Sequence, residues 1–270
     1  MYYVDVLPFS KEKGHPYKYD EAGVLLSKIP YTQEYHHHVT AIASYAIAND
    51  SQSSDVGIKW LVNNMDDDGA YRHNFTFPFY YNFPKNWIGG LAQGLAISAL
   101  VNADEVDAAE KAFLALHKHC RYRDKNNNIW IEEYPLDEPA HILNGFVYSL
   151  FGVFDLFITT KNKKARKLWE DGLKTLVKNI DRYDMDGWSK YDLAEEMPAQ
   201  PFYHNVHVKQ MAALFSITED ATFFDYEQRW KNRKYTASLK HLCVQNAFDK
   251  YGIKGAFARN KERKRWLKSK

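Results

Sequence analysis

From about residue 33 onward the chain repeats one pattern. Apolar positions recur at three- and four-residue spacing, a polar turn interrupts them, and the spacing resumes. That period puts the apolar side chains on one face of a helix. It predicts helices over 35–49, with Val39, Ile42, Ala43, Ala46 and Ile47 as the stripe, and over 55–65, with Val56, Trp60 and Leu61. Three more pairs follow, over 87–101 and 104–119, 141–158 and 163–179, and 204–217 and 219 to about 248, with Asp104 as an expected N-cap. Short links inside each pair read as αα-hairpins.

The longer links between pairs resemble one another. Asn64 to Tyr71, Asp124 to Trp130 and Asp181 to Trp188 are each rich in Asp and Asn and place Gly69, Asn128 and Gly187 at the equivalent turn position, 59 residues apart. A left-handed backbone is expected there, which favours Gly or Asn. A helix-pair repeat of this length stacks into a superhelix or closes into a toroid. In a closed array the loops over 66–86, 124–140 and 181–203 gather round one cleft; in an open one they form a row. The fold class expected is therefore all-α, with an (α/α) toroid over 31–250. Residues 1–30 form an irregular or β lead-in, with apolar runs at Val4 to Leu7 and Gly23 to Leu26, and 251–270 form a basic tail.

Composition changes this picture little. The 270 residues are 45% hydrophobic and 26% charged, ordinary for a globular chain, and the net charge of +2 neither favours nor excludes an anionic partner. The excess is aromatic, with 19 Tyr and 7 Trp, which suits either sugar rings or a helical core. Cys120 and Cys243 form no disulfide framework or metal-ligand spacing, which fits a reducing compartment. The start, Met1-Tyr2-Tyr3-Val4-Asp5, lacks the basic and apolar regions of a signal peptide, so a cytoplasmic location is expected. The apolar run 142–158 carries Asn144 and Asp155 and reads as a buried core helix rather than a membrane span.

The three loops carry the candidate chemistry. The first holds Arg72, His73, Asn74 and the aromatics Phe75, Phe77, Phe79, Tyr80 and Tyr81; the second Glu132, Glu133 and Tyr134; the third Tyr191, Asp192, Tyr203, His204 and His207. Adjacent carboxylates on extended backbone face opposite ways, so Glu132 and Glu133 do not flank one glycosidic bond. His36, His37 and His38, taken as helical, diverge too widely to share a metal. Asp66 to Asp68 read as a polar turn rather than a calcium loop. No metal or other cofactor is expected.

Several stretches together resemble a known family. Trp87-Ile88-Gly89-Gly90-Leu91-Ala92-Gln93-Gly94-Leu95-Ala96-Ile97-Ser98 is similar to its Ala-Gln-Gly helix start. Glu132-Glu133-Tyr134-Pro135, followed by Leu143-Asn144-Gly145-Phe146-Val147-Tyr148-Ser149-Leu150, resembles its central signature, and Tyr191-Asp192-Leu193 with Tyr203-His204-x-x-His207 its last motifs. The family is the D-glucuronyl C5-epimerases, which form iduronate in heparan-type polysaccharides, and the likeness is to their C-terminal catalytic (α/α) toroid. It implies catalytic roles for Glu133, Tyr134, Tyr191 and Tyr203. Substrate contacts are expected from Asn144 and Tyr148, with Arg72, Asn74 and His204 completing the set. Two departures stand out: few residues precede the toroid, and Ala194-Glu195 follow Tyr-Asp-Leu where the family carries a carboxylate-binding Arg.

The reaction implied is removal of the C5 proton of D-glucuronate and reprotonation on the opposite face, giving L-iduronate in a heparosan-like polymer. It needs an acid/base group on each side of the ring and stabilisation of the enolate between them. A tyrosine base would have to fall from about 10 to about 7, which is about 4 kcal/mol of differential stabilisation; Arg72 and Lys190 are candidate helpers. Two of the three tyrosines are expected to move the protons, with Glu133 as the alternative base. A lyase or epimerase on another uronate polymer, or a non-catalytic polysaccharide-binding protein, are the other classes the sequence leaves open. The expected partner is an anionic uronate polysaccharide and not nucleic acid, with no transmembrane segment and a homodimer as one open arrangement.

Overall fold

The computed structural model describes residues 17–28, 34–48, 52–76 and 85–242, with isolated helical positions at 245, 249 and 252. The apolar run at Val4 to Leu7, Phe77, Phe79, Tyr80, Tyr81, Cys243 and most of the basic tail fall outside them.

An antiparallel three-stranded sheet opens the described chain: β1 (Tyr17–Tyr19), β2 (Leu25–Lys28) and β3 (Tyr35–His37), in that order. Its first turn is set locally. The Asp20 carboxylate accepts from the amides of Ala22 and Val24 at 3.0 and 2.8 Å, and Gly23 takes φ +83°. The register pairs Tyr17 with Ser27 and Ser27 with His36. The expected helix over 35–49 is thus corrected at its start. Tyr35–His37 are a strand, because their backbone pairs with β2, and the helix begins at Val39.

Eight helices of ten residues or more follow among the described residues: α1 (Val39–Ala48), α2 (Gln52–Asn63), α3 (Gly90–Asn102), α4 (Val106–His119), α5 (Leu143–Thr160), α6 (Lys163–Asn179), α7 (Pro201–Thr218) and α8 (Ala221–Lys231). Each odd helix packs on the even helix after it, and α1, α3, α5 and α7 pack on one another in sequence. The sequence accounts for the two layers. Helices α3 and α5 are apolar nearly all round and buried, whereas α6 has a single apolar stripe against a face of Lys, Arg, Glu and Asp. Helix α5 is long and apolar enough to cross a membrane, but 72% of it is buried inside the fold as the central core helix.

Helices α3 and α5 approach closely because glycines face each other. A β-carbon on Gly94 would lie 2.5 Å from the Ser149 Cα, and one on Gly152 would run into the Gly94 carbonyl. Gln93, fully buried, fastens the first inter-pair turn to this layer. Its amide donates to the carbonyls of Gly69 and Ala112 at 3.1 and 3.0 Å and its oxygen accepts from the Tyr71 amide at 2.7 Å.

Each of the next two turns carries a short hairpin, β4 (Arg121–Arg123) with β5 (Ile129–Ile131) and β6 (Asp184–Met185) with β7 (Trp188–Ser189). Gly69 and Gly187 have the expected positive φ, +83° and +84°, but in the middle turn that conformation falls on Asn127, at +61°. Asn128 instead hydrogen-bonds the Asp124 carboxylate through its own amide and side chain. Asp104 is not an N-cap. It takes φ +61° in the turn that closes α3, and its amide donates to the Val101 carbonyl. Helix α8 ends at Lys231 rather than running to 248, and helix resumes over 237–242.

Candidate active site

A cavity of about 230 Å³ opens between the β-sheet, the α3 N-terminus, the loop after β5 and the first turn of α7. Glu133 and Tyr134 line it from the loop, Asn144 and Tyr148 from α5, and Tyr203 from α7. These five residues come from chain segments up to 70 residues apart, and the fold brings them together.

The loop is held rigidly. The Gly90 amide at the start of α3 donates to the carbonyls of Glu132 and Glu133, at 3.2 and 3.0 Å. A β-carbon at Gly90 would collide with the Glu132 carbonyl, so only glycine lets the strand end sit on the helix terminus. The two carboxylates then part company. Glu132 turns inward, where its oxygens accept from the His141 amide at 3.0 Å and pair with the His141 ring at 2.5 Å. Glu133 turns into the cavity above Gly145, whose missing side chain leaves its space.

Glu133 is 5% exposed and its Oε2 has no hydrogen-bond partner. Burial is the largest cause that raises its pKa, to about 7, opposed by a hydrogen bond with Tyr134 and assisted by the neighbouring Glu132 charge. It is therefore poised to take or give a proton near neutrality. Two more residues that line the same cavity each carry an unpartnered buried oxygen, Asn144 at Oδ1 and Ser27 at Oγ. Buried polar atoms normally find partners, so three orphans around one space mark a site built for a polar ligand.

One wall is aromatic. Trp87 stacks on His73 with ring centres 3.8 Å apart, donates its indole N–H to the Phe75 carbonyl at 3.0 Å, and meets the Tyr134 ring at 5.7 Å. His38 completes this wall beside Phe75, and burial pushes its pKa down to about 4, leaving it neutral. His36 and His37 diverge from it, contacting Glu34 and Asp20. Among the described residues no three His, Cys, Asp or Glu side chains come close enough to hold a metal ion.

The remaining expected site residues are placed elsewhere. Tyr191 does not line the cavity; its ring packs edge-on against Tyr203 at 4.9 Å. Arg72 is taken up in the surface turn, with one nitrogen 2.5 Å from Asp66 and another 2.9 Å from Asp68, and Asn74 is exposed beside it. Neither lines the cavity. Lys190 pairs with Glu196 at 3.4 Å. His204 is a core residue: it stacks on Trp188 at 3.6 Å, its Nδ1 accepts from the Ser189 amide at 3.1 Å, and its Nε2 meets the Trp230 carbonyl at 3.1 Å.

Sequence reasoning missed the contribution of the sheet. Tyr17, Ser27 and Lys28 all line the cavity. Burial and the nearby Tyr203 push the Tyr17 phenol well above its ordinary pKa, so it stays protonated. Local sequence offered one clue, the Asp20-to-Gly23 turn that makes β1 and β2 a hairpin; nothing in it says where the hairpin docks.

A protein of Methanocaldococcus jannaschii described only as uncharacterized is 30% identical over 178 residues, 60% of this chain and 57% of that protein. The D-glucuronyl C5-epimerase of Caenorhabditis elegans is 28% identical over 250 residues, 79% of this chain. The chain spans 38% of that enzyme's length. A glycoside hydrolase family 76 mannosidase from Bacteroides thetaiotaomicron superposes with a TM-score of 0.48 at 10% identity, over 86% of this chain and 71% of that one, too loosely to bear on fold or function. The model of the family described as D-glucuronyl C5-epimerase C-terminus matches residues 65–232, which hold the Glu133 loop, α5 and the start of α7, and the chain belongs to that family.

Proposed function

We propose that this chain is a polysaccharide uronate C5-epimerase, an isomerase that converts D-glucuronate to L-iduronate within a heparosan-like polymer. The observation that carries the reading is Glu133, a buried carboxylate with a free oxygen and a pKa near 7 in a cavity edged by tyrosines. The family match supports the same chemistry. The four helix pairs, read as an arc of an (α/α) toroid, supply the concave face on which an extended polymer would lie.

In this mechanism the sugar ring rests on the Trp87 wall with its C5–H toward Glu133. Glu133 Oε2 takes the C5 proton, and the electron pair left behind spreads onto the C6 carboxylate as an enolate. Tyr134, hydrogen-bonded to Glu133, orients the base. Asn144 accepts from a substrate hydroxyl through its unpartnered oxygen. Tyr203 delivers the second proton to the opposite face of C5, becoming a phenolate, and Tyr17 beside it supplies a neutral hydrogen-bond donor. Exchange with water then removes the proton from Glu133 and restores that of Tyr203, so solvent hydrogen enters at C5. Tyr191 acts through Tyr203 as a positioning residue.

Proton NMR of unsulfated glucuronate–N-acetylglucosamine polymer incubated with the protein in D2O tests this. Loss of the C5 proton signal with growth of iduronate signals is expected. Unsaturated ends absorbing in the near ultraviolet would replace the epimerase with a lyase, and neither signal would overturn turnover of this polymer.

A further inference from the structure

A second cavity, of about 220 Å³, lies apart from the Glu133 site, between the tip of the β4–β5 hairpin and the exposed face of α6. Four cations line it, Arg123, Lys167, Lys174 and Lys178, against one carboxylate, Asp171. Every acid close in sequence already has a partner. Asp171 pairs with Lys167 at 3.0 Å and Glu170 with Arg166 at 2.8 Å. Asp124, in the turn, accepts from the Asn128 and Trp130 side chains at 2.8 and 3.1 Å. Among the described residues no carboxylate forms an ion pair with Arg123, Lys174 or Lys178. Two of these cations are steadied by neutral amides instead: Arg123 donates to Asn127 Oδ1 at 3.4 Å and Lys178 to Asn128 Oδ1 at 3.2 Å.

Helix α6 thus changes character along its length. Its first half matches cations to acids four residues on, the usual way to support an exposed helix. Its second half sets Lys174 four residues before Lys178, a like-charge spacing that destabilises a helix, and the hairpin brings Arg123 to the same groove. Three uncompensated cations round one hollow are relieved by an anion. Lys167 to Lys178 spans about 16 Å of helix at 1.5 Å per residue, which suits a ligand whose negative charges recur along its length. The groove also belongs to the segment that carries the base. Ile129 lines it four residues before Glu133, within about 13 Å along the strand, and its amide is fixed to α6 by Thr175 Oγ1 at 2.8 Å.

We propose that this groove is a second binding site for the acidic polysaccharide, holding carboxylates further along the same chain as the sugar in the Glu133 cavity. This rests on the epimerase reading and deepens it: the cavity takes the sugar that reacts, and the groove retains the polymer to which it belongs. Two modest sites joined by one polymer raise the effective concentration of sugar at the cavity. The groove touches no reacting atom, so it acts on KM and leaves kcat to the cavity. Its contacts are exposed charges, so added salt weakens it.

The test uses the full chain with unsulfated glucuronate–N-acetylglucosamine polymer, and with the same polymer after its carboxyls are reduced to alcohols. Calorimetric binding and C5 deuterium incorporation are measured for wild type, Lys174→Glu, and Arg123→Gln, Lys174→Gln and Lys178→Gln combined, with thermal melts to confirm folding. Lys111→Glu, at an exposed lysine of α4 outside the groove, makes the same change in net charge. Both groove variants should bind the acidic polymer about tenfold more weakly and raise KM by a like factor, the sum of a few exposed charge contacts. Lys111→Glu should not, and the reduced polymer should not distinguish wild type from Lys174→Glu. Folded groove variants that bind like wild type, or a Lys111→Glu protein that loses as much, overturn the groove and leave the epimerase reading standing. Single-stranded DNA or phosphatidylserine vesicles bound more tightly than the polymer through the same lysines overturn the polysaccharide as its ligand. Polymer binding that depends on Lys174 without any C5 exchange keeps the groove and sinks the epimerase, and neither binding nor exchange overturns both.

Discussion

Glu133 lies directly over Gly145, so close that a β-carbon on that glycine would sit 2.6 Å from the Glu133 Cβ and overlap its carboxylate. One residue of α5 thus determines where the base stands. Gly145→Ala should push Glu133 off its position while a helix-favouring residue joins the helix. C5 exchange should fall by at least about 10²-fold, the loss expected when a reacting group is displaced by about 1 Å. The melting temperature should change far less than that loss would suggest. An active Gly145→Ala protein would show that the position of Glu133 does not matter.

The raised pKa of Glu133 makes opposite predictions for activity and stability. As a base it must be ionised, so the exchange rate should climb through pH 7 and level off above it. For stability, the folded protein holds this proton up to about pH 7 and the unfolded chain releases it near 4.5. The folded state therefore binds more protons between these values, and stability falls as pH rises through that window. Glu133→Gln removes the charge to be buried and should be inactive yet more stable at pH 8, by about 3 kcal/mol at most. Urea unfolding of both proteins at pH 5 and pH 8 measures this, and equal pH dependence would count against the shift.

Tyr203→Phe separates the two proton transfers. With Glu133 intact, the C5 proton of glucuronate should still exchange with solvent, but inversion should fall by about 10²–10⁴-fold, the usual worth of a positioned acid. NMR would then show deuterated glucuronate without iduronate. Unimpaired inversion would move the second-face role to another group.

Gln93 predicts a purely structural effect. Gln93→Leu leaves the Tyr71 amide and the Gly69 carbonyl without their buried partner, while the Ala112 carbonyl keeps its place in the α4 ladder. At about 1–3 kcal/mol for each orphaned group, less any recovered by local movement, the loss should be several kcal/mol by urea unfolding. A change below about 1 kcal/mol would show that water replaces the side chain.

His204, expected from its motif to touch substrate, is instead held by Ser189, Trp188 and Trp230. His204→Leu should therefore lower the melting temperature and leave KM unchanged. A raised KM in a protein of wild-type stability would return His204 to the substrate.

What the sequence determined by itself is what local physics determines. Apolar spacing alone located most of the helices, and α6 runs from Lys163 to Asn179 as the periodicity predicts. Its start is set by Asn162, whose side chain accepts from the Lys164 and Ala165 amides. The turns at Gly69 and Gly187 were legible because a positive φ selects glycine whatever surrounds it. The Glu133–Tyr134 pair stood out because its motif is contiguous. Tertiary structure decided the rest. The strand at Tyr35–His37 exists because its backbone pairs with β2, which outweighs the helical period beyond it. Arg72 is engaged by acids four and six residues away, and no spacing rule says whether such a cation points to its own turn or to a cleft. Tyr17, Ser27 and Lys28 line one cavity with Glu133 across more than a hundred residues of chain, and the proton affinity of Glu133 comes from the surface packed over it. Burial and long-range contact are properties of the assembled fold, and one-dimensional spacing does not encode them.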